Sequence, residues 1–259
     1  MSSSSWEWTP VAALESQIAG LLACFLFAAI VLLLGNPPAG KKVSDISTPL
    51  YSSLVVFFSL VVSAFLYAMV TGNRDAQRAS IAVMLANAVF ALATVEMFHC
   101  LVWFFADYQV APRVMAKTRL LYHEVTLIAA ALTAISVTGI TGSKSLLDVL
   151  PVMVLPLLGI ALRKPISRRL TEQAQERFPA LLMYASSLFT VAVAIYLALV
   201  NHADQLESVY RPAVGFWLTF ILGAFFMVCE IALPFEERST KEPDSDLRSR
   251  LEEAQLLHE

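Results

Sequence analysis

Long apolar runs dominate the order of hydrophobic and polar positions along the chain. Each run is close to the ~20 residues that an α-helix needs to cross a bilayer. Glycine, proline and polar residues separate one run from the next, as turns do. The seven runs cover residues 18–34, 50–70, 80–105, 120–140, 146–162, 180–200 and 213–233. The pattern predicts an all-α fold, a polytopic membrane bundle of seven transmembrane helices.

Composition favours a membrane protein over a soluble one. Of the 259 residues, 58% are hydrophobic and 15% are charged, whereas soluble domains average about 45–50% and about 25%. We predict a multi-pass protein of the cell or inner membrane, for which the lipid bilayer is the first partner. Its predicted parts are an extracytoplasmic segment (1–17), the seven-helix transmembrane domain (18–234) and an acidic cytoplasmic tail (235–259).

The distribution of Lys and Arg predicts the orientation of the chain, because basic loops are retained in the cytoplasm. Fourteen of the 18 basic residues fall in the tail and in the loops that follow runs one, three and five. The four on the other side are Arg74, Arg78, Lys144 and Arg211. We therefore expect the N-terminus outside and the C-terminus in the cytoplasm.

The fifth run is short and contains Pro151 and Pro156. A re-entrant hairpin is the alternative to a crossing, but it would move the basic residues that follow to the outer side, against the charge rule. We expect both prolines to kink this helix, either as a packing feature or as the broken helix of a transport site. In the seventh run, Gly215, Thr219 and Gly223 form a row of small residues that predicts close helix packing.

Ionisable side chains inside the runs are the candidate functional residues. A charged group at the centre of a membrane helix costs about 2.5–3.5 kcal/mol, so such groups usually face the bundle interior and often have a function. Five residues meet this description: Glu96, His99, His123, Glu124 and Glu230. In the predicted orientation all five fall in the cytoplasmic third of the membrane, whereas the outer halves of most runs have few polar residues. They predict a polar cavity that faces the cytoplasm.

Two further residues extend the predicted cavity. Asp107 follows Glu96, His99 and Trp103 at helical spacing, so the four share one face of the third helix. Tyr184 of the sixth run lies at a similar depth. Together these residues predict a proton or ion pathway, in which carboxylates and imidazoles bind and release cations. The alternative is a structural lock between the third and fourth helices.

Two other functions compete with transport of a proton, metal ion or small solute. In the first, Glu96, His99, His123 and Glu230 bind a transition metal, or the two histidines are axial ligands of a haem. In the second, the chain is a non-catalytic membrane subunit or sensor. Such a subunit would bind a protein partner through its cytoplasmic loops and tail, or would form a homo-oligomer.

Several function classes lack the residues they need. There is no glycine-rich phosphate loop, so we expect no nucleotide, and we expect no nucleic acid either. An enzyme is disfavoured because no Ser-His-Asp set is visible. Microbial rhodopsins resemble the chain in architecture only, with seven helices and an outside N-terminus. They attach retinal to a lysine of the seventh helix, and residues 213–233 contain none, so we expect no retinal.

Overall fold

Seven α-helices make up the fold of the residues that the computed structural model describes. These residues are 8–35, 47–71, 76–107, 111–141, 145–167, 172–200 and 210–233. The helices are α1 (Trp8–Gly35), α2 (Ser47–Thr71), α3 (Ala76–Asp107), α4 (Pro112–Thr141), α5 (Leu150–Ser167), α6 (Glu172–Val200) and α7 (Tyr210–Ile231), and a 3-10 turn at Leu146–Asp148 precedes α5. The predicted all-α class is therefore confirmed for this part of the chain.

Within the described part of the chain, four helices are long and apolar enough to cross a membrane, by length and composition. Their apolar segments are Pro10–Gly35, Leu50–Thr71, Ala79–Ala106 and Arg113–Thr141. Leu181–Tyr196 and Gly215–Ile231 are shorter apolar helices. These lengths and compositions are those of a membrane protein, whereas the count of seven crossings and the orientation of the termini stay predictions.

Three helices, α1, α4 and α6, begin eight or more residues before the apolar runs that predicted them. α1 begins at Trp8, so Glu15 lies inside a helix. α4 begins at Pro112, and its first turns contain Arg113, Lys117 and Arg119. Proline is favoured at the start of a helix because it has no N–H to leave unpaired there. An apolar run marks the part of a helix that suits a bilayer, and the helix itself continues into polar surroundings.

α3 is the central helix of the bundle. Its apolar segment is 72% buried, compared with 22% for α1. Helices that are consecutive in the first half of the chain pack against each other: α1 on α2, α2 on α3 and α3 on α4. α3 also contacts α6 and α7. Polar residues on α3 are therefore the ones most enclosed by protein.

α5 and α7 approach each other closely at two glycines. A Cβ atom added to Gly159 would lie 2.7 Å from the carbonyl oxygen of Met227, and one added to Gly223 would lie 2.5 Å from that of Pro151. Along α5 the contact residues are Pro151 and then Gly159, and their partners on α7 follow in the same order, Gly223 and then Met227. The two helices therefore run parallel. Only glycine lets two backbones come this near.

The predicted small-residue row on α7 is confirmed as a packing surface. Gly215 faces the side chains of Thr141 and Val137, which a Cβ atom would approach to 2.9 Å. One turn further along, the Thr219 hydroxyl donates a hydrogen bond of 2.6 Å to the Asp148 carbonyl oxygen. With Gly223 against α5, the row thus contacts α4, the 3-10 turn and α5 in succession.

The prolines of the fifth run have different positions from those expected. α5 begins at Leu150, so Pro151 lies in its first turn, where no N–H is needed for an intrahelical bond. Pro151 therefore starts the helix and does not kink it. Pro156 and Pro165 lie inside α5, which is continuous over 18 residues.

Candidate functional site

Polar and ionisable side chains from four helices meet around α3. We call this group the Glu/His cluster. It consists of Glu96, His99 and Trp103 of α3, Tyr122 and His123 of α4, Ser186 of α6 and Glu230 of α7. Glu96 and His99 each expose 6% of their surface, and Glu230 exposes 0%. Three of the five ionisable residues predicted from the apolar runs are therefore buried in the bundle.

Glu96 joins α3 to α6. The Ser186 hydroxyl, which is fully buried, donates a hydrogen bond of 2.6 Å to Glu96 Oε2. A hydrogen bond to a carboxylate is among the stronger ones in proteins, because the acceptor is charged. Ser186 is thus the α6 residue that holds the Glu96 side chain in place.

His99 is fixed by its neighbour one turn along α3. Trp103 Nε1 donates a hydrogen bond of 2.7 Å to His99 Nε2. Because the indole N–H can only donate, Nε2 must be an unprotonated acceptor, and the ring proton lies on Nδ1. In this arrangement His99 is a neutral imidazole whose Nε2 lone pair is already used.

Glu230 has the least usual surroundings in the cluster. Its Oε2 lies 2.7 Å from Nδ1 of His123, the distance of an ion pair. The two groups are not aligned for a hydrogen bond, and Oε1 has no hydrogen-bond partner among the described residues. An ionised carboxylate removed from water costs several kcal/mol unless it is paired. Glu230 thus depends for its pairing on His123, whose side chain is 23% exposed to solvent.

Two residues that the sequence analysis did not single out connect the histidines. The buried Tyr122 ring meets the His99 ring at 5.9 Å and the His123 ring at 5.6 Å, edge to face in both cases. Arg163 of α5 is half-buried and acts electrostatically on His99 and Tyr122. Neither residue met the criterion of an ionisable group inside an apolar run, because Tyr122 is not ionised at neutral pH and Arg163 follows the run.

Two predicted pathway residues do not join the cluster. Glu124 is exposed on α4, as expected from its turn of about 100° away from His123. Tyr184 is 75% exposed on the outer face of α6. The side chain of Asp107 lies outside the described residues.

The structure does not assemble the predicted metal site. Among the described residues, no group of three or more His, Cys, Asp or Glu side chains could hold a metal ion. Glu96, His99, His123 and Glu230 are instead divided into separate contacts: Glu96 with Ser186, His99 with Trp103, and His123 with Glu230. For a haem, the Nε2 atom of His99 would have to give up the indole hydrogen bond.

A second polar network joins the four helices α1, α2, α3 and α4. It lies closer than the Glu/His cluster to the end of the bundle where α1 begins. The Tyr67 hydroxyl donates a hydrogen bond to Asn87 Oδ1, and Asn87 Nδ2 donates one of 2.8 Å to Ser136 Oγ. The Glu15 carboxyl group is within hydrogen-bonding reach of Tyr67. The sequence analysis expected few polar features here. Glu15 and Asn87 are the residues of the sequence that could have indicated this network, but Glu15 lies before the first apolar run.

In comparisons with known proteins, no family model, curated protein or solved structure matches the chain.

Proposed function

We propose that the protein moves protons across the membrane through the Glu/His cluster. The observation that supports this most directly is the environment of Glu230. Its carboxylate is fully buried, has one oxygen without a partner among the described residues, and lies against a histidine that is partly open to solvent. A purely structural lock would satisfy both oxygens, since an unpaired buried polar atom costs about 1–3 kcal/mol.

The proton is favoured as the cargo over a metal ion or a larger solute. No group of three potential metal ligands is assembled among the described residues. A proton needs no ligand set, only groups that accept and release it in turn. Imidazole and carboxylate are such groups, and they are typical of proton pathways in membrane proteins.

The central step is a proton exchange between His123 and Glu230. With His123 as imidazolium and Glu230 as carboxylate, the two form an ion pair at 2.7 Å. When the two groups align and the proton moves from Nδ1 to Oε2, both groups become neutral, which lowers the cost of burial. His123 then keeps its proton on Nε2, so the ring turns over before the bare Nδ1 meets water and takes up another proton. The Glu230 carboxyl group rotates and passes the first proton to another acceptor.

The test is proton flux into liposomes that contain the purified protein. A pH-sensitive dye is enclosed, and a potassium diffusion potential set by valinomycin drives protons inward. We expect acidification with the wild-type protein and a loss of flux to the level of empty liposomes in Glu230→Gln. Glu124→Gln is the matched control. Glu124 follows His123 in the chain, but its carboxylate lies on the exposed side of α4.

Folding of each variant is checked by its thermal unfolding and its elution from a size-exclusion column. Wild-type flux equal to that of empty liposomes would overturn the proposal and favour the predicted non-catalytic subunit. Flux that survives in Glu230→Gln would overturn the assignment of this residue.

A further inference from the structure

A row of hydroxyl groups follows one buried face of α2. Ser59, Ser63 and Tyr67 are spaced four residues apart, and their exposures are 1%, 0% and 1%. Residues four apart on a helix lie above one another, about 6 Å apart along the axis. The row therefore runs along the interior of the bundle over two helical turns.

At one end the row meets a carboxyl group from α1. Glu15 is within hydrogen-bonding reach of the Tyr67 hydroxyl, and its Oε2 is buried without a hydrogen-bond partner among the described residues. Tyr67 already donates its single proton to Asn87. The same proton cannot serve Glu15 at the same time, so Tyr67 donates either to Asn87 or to the Glu15 carboxylate. This end of the row thus places a carboxyl group beside a hydroxyl that can exchange a proton with it.

At the other end the row continues into the Glu/His cluster. Ser59 Oγ and Thr190 Oγ1 are hydrogen-bonded at 3.2 Å, which joins α2 to α6. Ser186 lies one turn from Thr190 on α6 and donates to Glu96. The hydroxyl row is therefore linked to Glu96 through two residues of α6, both of which are buried.

We propose that Glu15 is the proton-exchange site on the side of the membrane where α1 begins, and that the hydroxyl row carries protons from it to Glu96. This inference rests on the proposed function, from which it takes the proton as cargo. Each hydroxyl accepts one proton and releases its own to the next group, so no charge is left behind. Ser63 and Tyr67 first turn away from the Ala86 carbonyl and Asn87 Oδ1, to which they donate. Steps of about one turn are too long for a direct hydrogen bond, so each requires a bridging water molecule.

The route covers more than half of the thickness of a membrane. The row spans about 12 Å from Tyr67 to Ser59, and the α6 step adds about 6 Å. The total of about 18 Å compares with the ~30 Å hydrocarbon thickness of a bilayer.

Few other titratable groups act on the two carboxyl groups of the route. Among the described residues, Tyr67 acts on Glu15. The thiols of Cys100 and Cys229 interact with Glu96. A change of pH on the α1 side is therefore expected to alter the protonation of Glu15 first and that of Glu96 through the row.

Carbodiimide labelling tests the route separately from net transport. A hydrophobic carbodiimide modifies protonated carboxyl groups in apolar surroundings, and mass spectrometry locates the adduct. Proteoliposomes captured through an N-terminal tag present the α1 side outward, so the external buffer sets the pH on that side while the internal pH is fixed. We expect that raising the external pH lowers the labelling of both Glu15 and Glu96.

Ser59→Ala is the variant that interrupts the row, and Ser187→Ala is the matched control. Ser187 is the neighbour of Ser186 on α6 and has no place in the row. In Ser59→Ala we expect Glu15 to respond to the external pH while Glu96 no longer does. We expect the flux to fall about fivefold, because one hydrogen bond of about 1 kcal/mol is lost from the path. Ser187→Ala should behave as the wild type does.

The two proposals fail in different ways. Labelling of Glu96 that ignores the external pH in the wild type, or that still follows it in Ser59→Ala, would overturn the route even where flux is measured. Labelling that behaves as expected without any flux above empty liposomes would instead overturn the proposed transport and support the proton connection.

Discussion

The close approach of α5 and α7 makes the replacement of Gly159 by alanine a sharp test of the fold. The added Cβ atom would lie 2.7 Å and 2.9 Å from the carbonyl oxygen and Cα of Met227, and 3.0 Å from Cβ of Glu230. Ordinary van der Waals contact begins near 3.4 Å. Two of the three neighbours are backbone atoms, which cannot rotate away, so α5 and α7 would have to separate by several tenths of an ångström.

The size of the effect follows from two opposing contributions. Overpacking of this kind costs about 1–3 kcal/mol. Alanine also favours the helix over glycine by about 1 kcal/mol. Gly20 of α1 isolates the second contribution, because nothing lies within 4 Å of a Cβ added there. We expect Gly20→Ala to be neutral or slightly stabilising, and Gly159→Ala to be less stable than Gly20→Ala by about 1–3 kcal/mol.

The assay is thermal unfolding in detergent, followed by the fluorescence of the four tryptophans. For a chain of this size 1 kcal/mol corresponds to about 2–4 °C in Tm. Gly159→Ala should therefore unfold at least about 2 °C below Gly20→Ala. Equal or higher stability of Gly159→Ala would refute the close parallel contact of the two helices.

Two further predictions concern the ion pair and the topology. His123→Ala should lower Tm by about 6 °C or more, since removing one partner of a buried pair costs about 3–5 kcal/mol; the double variant with Glu230→Gln should recover much of this loss, and a single variant as stable as the wild type would contradict the pairing. For the topology, a membrane-impermeant maleimide should label Ser3→Cys in intact cells and Ser245→Cys only in permeabilised cells, both in a background without the native cysteines. Labelling of both cysteines from the same side would exclude an odd number of crossings.

The sequence was sufficient to predict the helices but not the directions in which their side chains point. Apolar runs are visible because a bilayer requires them, whatever the neighbours of each helix. α6 has apolar residues on most of its surface, so its inward face cannot be recognised from periodicity. Tyr184 and Ser186 are two positions apart, about 200° around the helix. Ser186 is buried and Tyr184 is 75% exposed.

The two ends of the proposed route illustrate a second reason why the sequence predicts only part of the site. Glu96 was predicted because it interrupts an apolar run, and its burial in α3 agrees with that prediction. Glu15 lies before the first run, and only the extension of α1 back to Trp8 brings it beside Tyr67. A partner on another helix is a property of the tertiary structure, so hydropathy along one chain does not contain it.

The parallel contact between α5 and α7 also has a consequence for biosynthesis. Because the two helices run in the same direction, the chain must first return through α6 before Gly159 can contact Met227. Roughly 70 residues separate these contact points, which at about 5–20 residues per second corresponds to several seconds of translation. In the predicted topology of seven crossings, α5, with Pro156 in its interior, would wait in the membrane without its main neighbour during that time. A chaperone or a lipid that shields a newly inserted helix would act at this stage.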